Sequence, residues 1–240
     1  MPHNADRRGF LRKSFAIVPA AALTGAAHTQ QAPRPVAASE GPVPAPSAPY
    51  QPSFFNAVEW AWLQAVVARL IPADDTGPGA LEAGVPEFID RQMEGPFGHA
   101  ATRYMQGPFV ESPPEFGYQG QLTPRDLYRA GMAAVDAHCK ANLGGKTFAQ
   151  LDAAAQDTVL KSLESGALKF DTLPAQTFFG FLLQNTKEGY LSDPIHGGNK
   201  NAGAWKMIGF PGARADYADW VGRPGVRYPL PPVSINGPQG

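Results

Sequence analysis

The sequence predicts an all-α fold, a single loop-rich helical domain, and three observations carry that expectation. Val58, Trp62, Val66 and Leu70 recur at intervals of four, which lays one apolar stripe along a helix. Residues that start helices precede several other apolar segments, namely Thr123-Pro124-Arg125-Asp126, Asp152 and Pro174. No set of alternating apolar and polar runs suggests strands, and no internal repeat is visible.

Each element follows from local signals. The first helix begins after Ser53 and runs to about Ile71, where Pro72 stops it; Asp74-Asp75-Thr76-Gly77-Pro78-Gly79 then reads as turns. A shorter helix is expected over Pro86 to Met93, ended by Gly95-Pro96, and another over His99 to Gln106. Pro108 to Gln121 is irregular. Thr123 as N-cap, Pro124 in the first turn and Asp126 near the positive end of the dipole open a helix to about Asn142, ended by Gly144-Gly145. Leu127, Ala134, Val135 and His138 lie toward its apolar side. Asp152 caps a helix to about Glu164. Pro174 opens one to about Glu188, whose Phe178, Phe179, Phe181, Leu182 and Leu183 point nearly all round, so it should be central and the most buried. Leu191 to Gly212 is loop-rich, and a short helix is expected near Arg214 to Val221.

The ends differ in kind from this domain. Arg7-Arg8-Gly9-Phe10-Leu11, followed by Arg12-Lys13 and an Ala-rich apolar run from Phe15 to about Ala27, matches a twin-arginine signal peptide, with Arg7, Arg8, Phe10 and Leu11 as the targeting residues. Thirteen helical residues cover about 20 Å, short of a bilayer core of about 30 Å. Cleavage near Gly25-Ala26-Ala27 and a periplasmic location follow as expectations. Residues 28–53 hold Pro33, Pro35, Pro42, Pro44, Pro46, Pro49 and Pro52, a composition for a polyproline spacer or an arm laid over a partner. The expected division is 1–27 signal peptide, 28–53 linker, 54–225 helical domain and 226–240 Pro-rich tail. Removing signal and linker leaves roughly 185 residues, enough for a substantial core.

Composition and motif searches exclude most chemistries. A net charge of −1 gives no reason to expect nucleic acid or an anionic membrane surface. Gly144-Gly145-Lys146-Thr147 resembles the end of a phosphate-binding loop, but the required first glycine position holds Lys140. Gly77 and Gly79 follow a helix rather than a strand, so no dinucleotide-binding fingerprint is present. No C-x-x-C-H haem motif, zinc-ligand spacing or G-x-S-x-G elbow occurs. Asp193 and His196 on one Gly-rich loop can be read as an acid/base pair or as an Asp-Pro turn with an exposed His. The one cysteine, Cys139, is either a buried thiol or half of an intermolecular bridge. A signal for exporting folded protein on a chain with no cofactor motif suggests that the cofactor rides on a partner.

Four segments resemble a known family: Arg7-Arg8-Gly9-Phe10-Leu11; Val67-Ala68-Arg69-Leu70-Ile71-Pro72; Leu191-Ser192-Asp193-Pro194-Ile195-His196-Gly197-Gly198-Asn199; and Gly203-Ala204-Trp205-Lys206-Met207-Ile208-Gly209-Phe210-Pro211-Gly212. The chain resembles the small (third, or gamma) subunit of FAD-dependent gluconate 2-dehydrogenase and related sugar and polyol dehydrogenases. A common variant of the third segment has Tyr where this chain has His196.

The resemblance implies three subunits. A large flavoprotein of the glucose-methanol-choline type carries FAD and oxidises the substrate. A multihaem cytochrome c, carrying haem c, passes electrons to the quinone pool. The small subunit, without catalytic residue, cofactor or metal of its own, supports folding and export of the flavoprotein. The resemblance also implies a possible disulfide from Cys139 to the flavoprotein. Residues expected at an interface are Cys139, Asp193, His196, Gly197, Gly198, Asn199, Trp205, Met207 and Phe210: the glycines permit close approach, and the large side chains supply apolar area. Trp205, Met207 and Phe210 equally suit this chain's own core. Two other classes remain open, a free-standing periplasmic enzyme using Asp193 and His196, and a binding or tethering protein.

Overall fold

The structure is a computed structural model that describes residues 49–110 and 113–237. The targeting residues Arg7, Arg8, Phe10 and Leu11, the cleavage region, the linker as far as residue 48 and the last three residues of the tail lie outside the described residues. Within them the fold is all-α, with α1 (Ala57–Leu70), α2 (Val85–Glu94), α3 (Pro124–Asn142), α4 (Ala153–Glu164), α5 (Ala175–Leu191) and α6 (Gly203–Ile208), joined by turns and short 3-10 segments. No helix among the described residues is long and apolar enough to cross a membrane.

The starts are set by capping chemistry. Asn56 accepts from the Val58 and Glu59 amides at 2.9 and 3.0 Å, and Glu59 accepts in return from the Asn56 amide at 3.0 Å. The helix therefore starts at Ala57 rather than directly after Ser53. Thr123 caps α3 and Asp152 caps α4 through the Asp126 and Ala155 amides, as their sequences predict. The helix expected over His99 to Gln106 does not form: Ala100 takes a left-handed conformation at φ 54°, and turns replace the helix. The helix expected from Arg214 to Val221 is a 3-10 segment over Ala215–Trp220. The loop-rich stretch after Leu191 contains the short α6, which the sequence did not announce.

Helix α5 is central but not buried all round. It packs against each of the other five helices. Phe178 and Leu182 are fully buried, whereas Phe179, Phe181 and Leu183 are half-buried, and Gln176, Gly180, Gln184 and Glu188 face solvent. The apolar stripe of α1 also shifts. Trp62, Leu63, Val66 and Val67 face the core, Leu70 is half-buried, and Val58, in the first turn, is exposed. Trp62 meets the Phe148 and Phe178 rings with centroids at 5.0 and 5.8 Å, and Tyr128 meets Phe178 edge-on at 6.0 Å. On α3 the buried set is Leu127, Tyr128, Met132, Val135 and Cys139, with Ala134 and His138 at its margin.

One buried carboxylate ties the entering chain to this core. Asp90 of α2 is fully buried and accepts five hydrogen bonds. Its Oδ2 receives the Tyr50 hydroxyl and Ser53 amide, both at 2.7 Å, and the Ser53 hydroxyl at 3.0 Å. Its Oδ1 receives the Phe54 and Phe55 amides at 3.1 and 3.0 Å. Burial alone would raise its pKa, but these donors hold it below the usual carboxylate range. Burial and the Asp90 charge push the Tyr50 phenol up to about 12.

Two predictions follow from this packing. A Cβ at Gly131 of α3 would come within 2.4 Å of the buried Phe178 ring, whereas one at Gly180 of α5 would meet nothing within 4 Å. Gly131→Val should lower unfolding free energy by about 1–3 kcal/mol and Gly180→Ala should raise it by about 0.5–1 kcal/mol, as read by urea denaturation. Asp90 has a depressed folded-state pKa, so its stabilisation is complete above the unfolded value of about 4 and is lost as pH falls through the folded one. Asp90→Asn should destabilise the protein by roughly 2–4 kcal/mol at neutral pH and flatten the fall in stability between about pH 5 and 2.

Candidate interface site

The loop after α5 is assembled from groups that a helix end leaves unpaired. The last carbonyls of a helix have no partner within it. Here the Trp205 indole donates to the Leu191 carbonyl at 2.8 Å, the Asn199 side-chain amide donates to the Ser192 carbonyl at 2.9 Å, and the Ser192 hydroxyl donates to the Gly189 carbonyl at 3.1 Å. The other end of the Asn199 side chain accepts from the Ala204 amide at 2.9 Å, so one buried residue joins the end of α5 to the start of α6. Asn199 does this from a left-handed conformation at φ 45°.

Packing closes the loop. A Cβ at Gly198 would meet the Gly189 carbonyl oxygen at 2.1 Å, so this approach to α5 requires glycine. Gly197, also buried, lies against Glu87 of α2. Glu87 pairs with Arg91 on its own helix and with Lys200 across the loop, the latter at 2.7 Å.

Asp193 is a structural anchor. One oxygen accepts from the Ile195 amide at 3.1 Å and the Ser234 hydroxyl at 2.6 Å, and the other accepts from the Ile235 amide at 2.9 Å. Burial would raise its pKa, but the Ser234 hydroxyl, the Ile235 and Ile195 amides and the charge of His196 hold it below the usual range. His196 is exposed, and no hydrogen bond joins the two side chains among the described residues. A carboxylate kept ionised and occupied on both oxygens is a poor proton acceptor, so the pair is not arranged for acid/base work.

Ser234 and Ile235, which sequence reasoning did not single out, belong to the Pro-rich tail. The tail is seated on the loop: the Val233 amide donates to the Pro211 carbonyl at 3.1 Å, and the Ala213 amide donates to the Val233 carbonyl at 2.7 Å. Nothing local in the tail announces these contacts, because the partners are ordinary loop residues about twenty positions away for Val233 and about forty for Ser234 and Ile235.

The large side chains divide between inside and outside. Trp205 is buried and meets Phe210 edge-on at 5.1 Å. Met207, Ile208 and Phe210 are 41, 56 and 45% exposed, and Leu191 and Ile235, whose backbone groups bond to Trp205 and Asp193, are exposed too. The site is therefore a braced loop whose interior is polar-bonded and whose outside exposes Met207, Ile208 and Phe210 among the polar His196, Lys200, Asn201 and Lys206, a mixture suited to protein contact.

Cys139 lies apart from the loop. It sits on the core face of α3 with no exposed surface, and burial, with the Asp136 charge adding, pushes its thiol up to about 11. Among the described residues no group of three or more His, Cys, Asp or Glu side chains could hold a metal ion.

A family model described as Gluconate 2-dehydrogenase subunit 3 matches residues 57–212, a span that runs from the start of α1 through the loop to Gly212. Searches of curated proteins and of solved structures each found no match.

The hydrogen bonds assign different weights to neighbouring residues. Asn199→Ala should cost roughly 2–3 kcal/mol in unfolding free energy and speed amide exchange at Ala204, because two buried groups lose their partners. His196→Ala should change stability by less than about 0.5 kcal/mol.

Proposed function

The chain belongs to the gluconate 2-dehydrogenase subunit 3 family and so is an accessory subunit of such a complex, and from that premise we propose that it is the non-catalytic clasp of the complex's flavoprotein. In this reading the partner is an FAD-bearing large subunit of the glucose-methanol-choline type, with a multihaem cytochrome c as the third component. The assembly oxidises a hydroxyl of a sugar, sugar acid or polyol and passes two electrons to cytochrome and quinone. The twin-arginine segment carries both chains, folded, to the periplasm, where the complex sits at the inner membrane.

The observation that supports this reading is the exposed apolar surface of Met207, Ile208 and Phe210 on a loop braced by Asn199 and Asp193, inside the span that matches the family. A surface that is already ordered before docking loses little conformational freedom on binding. Binding to the folded flavoprotein alone would stabilise it by mass action, about 2.7 kcal/mol at a hundredfold excess over Kd, which is a chaperone effect without chemistry. Cys139 stays a thiol in this reading, because a bridge would require the core face of α3 to open.

Co-expression with the flavoprotein tests the proposal. Arg7→Lys with Arg8→Lys should leave both chains in the cytoplasm; a flavoprotein that still reaches the periplasm refutes co-export. Met207→Asp with Phe210→Asp should leave this chain folded yet lower the co-purified flavoprotein by about tenfold or more, as expected for central interface side chains. On non-reducing electrophoresis the small subunit should migrate alone, and a reducible heterodimer would establish the bridge instead.

A further inference from the structure

Between Ala213 and Val233 the chain makes a long excursion that closes on its own base. The Ala213 amide donates to the Val233 carbonyl at 2.7 Å, and Arg214 Nε donates to the Pro231 carbonyl at 2.7 Å. Residues 213–230 are exposed apart from Arg214, Trp220 and Tyr228, which are half-buried. Connections in compact domains mostly run to about six residues, and longer ordered ones commonly serve binding.

The excursion is ordered by its own rings. Tyr228 meets Tyr217 and Trp220 edge-on at 5.2 and 5.5 Å, and its hydroxyl donates to Asp216 at 2.6 Å. The contact of Trp220 with Tyr228 closes a tip that runs from Val221 to Arg227. Two turns shape it: the Arg223 amide donates to the Trp220 carbonyl at 2.9 Å, and the Val226 amide donates to the Arg223 carbonyl at 3.3 Å. Val221 and Val226 are 74 and 57% exposed. The Arg223 guanidinium lies 4.8 Å from the Trp220 ring centroid, and Arg227 is exposed. The tip holds no carboxylate, and neither arginine has an ion-pair partner among the described residues. It is thus a cationic, apolar point on a chain whose net charge is −1.

Resting on the clasp reading above, we propose that this tip is a second contact with the same flavoprotein and meets an apolar surface edged by carboxylates. The chain is a subunit of a complex, and the base of the excursion begins three residues after Phe210 of the proposed contact loop. A second contact on the same chain acts at high effective concentration, so even a modest patch adds to retention. The exposed arginines supply charge complementarity, and the valines supply apolar area. A lipid surface is the weaker fit: two cations contribute only about 1 kcal/mol each there, and a single weak anchor holds a protein only marginally.

Co-purification of the flavoprotein with the full chain from co-expressing cells, read as flavoprotein per small subunit after a fixed wash, tests this contact. Arg223→Glu with Arg227→Glu should lower retention about fivefold to tenfold at low salt and blunt its dependence on added salt. Val221→Ser with Val226→Ser should lower it about fivefold. All four positions are exposed, so the urea midpoint of each variant should stay unchanged. Full retention by both variants, while Met207→Asp with Phe210→Asp still releases the flavoprotein, would overturn the tip contact and leave the clasp standing. No capture by the unchanged chain would overturn the clasp and the tip contact together. In flotation with phosphatidylglycerol vesicles the full chain alone should stay unbound; binding abolished by the arginine changes would assign the tip to lipid instead.

Discussion

The start of the domain depends on what Asp90 collects. A carboxylate without exposed surface is unfavourable unless its oxygens are filled, and five donors from Tyr50 to Phe55 fill them. The consequence is geometric. The chain is turned onto α2 before α1 begins, so Asn56 arrives in position to cap it. Phe54 is then placed under two cations of α3, with the Arg125 and Arg129 guanidinium carbons 4.7 and 4.2 Å from its ring centroid, and its carbonyl accepts from Arg129 at 3.1 Å. One buried charge thus joins the entering segment, α1, α2 and α3. The last residues of the Pro-rich stretch are part of the fold for this reason, whatever precedes them.

How much of this was legible follows from the range of the interactions. Helix starts were readable because a cap acts over three residues: Thr123 and Asp152 each meet an amide within one turn. The end of α2 at Gly95 was readable for the same reason. The turn at Ala100 was not, since an alanine at positive φ carries no local sign and the segment otherwise has helical composition. The aromatic run in α5 correctly marked the central helix, but composition did not tell which aromatics face a neighbouring helix and which line an open cavity. Asp193 was picked out for the right residue type and the wrong role, because its partners Ser234 and Ile235 are distant in sequence.

The loop from Leu191 to Gly212 illustrates how polar bonding inside permits apolar exposure outside. Flexible apolar loops bind loosely and non-specifically, because ordering them consumes the interaction energy. Here the ordering is already complete in the single chain: Asn199 bridges two segments, Asp193 holds the tail, and Trp205 fills the space beneath. The family match ends at Gly212, where the loop receives Val233 through a parallel bridge. The tail therefore acts as a brace from outside the matched span.

Helix α5 unites these features through three different properties of one element. Its inner face supplies Phe178 and Leu182 to the core, its flank with Phe181 helps to line a cavity of about 460 Å³ that Phe97, Arg103 and Tyr118 also border, and its C-terminal carbonyls supply the acceptors that organise the loop. Asn185 and Leu191 are six residues apart, roughly 9 Å along the axis. A helix that contacts all the others and is satisfied at its C-terminal end by loop side chains cannot shift without disturbing those bonds. The exposed apolar side chains of the loop are consequently held in a fixed relation to the core, and the bonds that stabilise the interior also set the geometry of the surface.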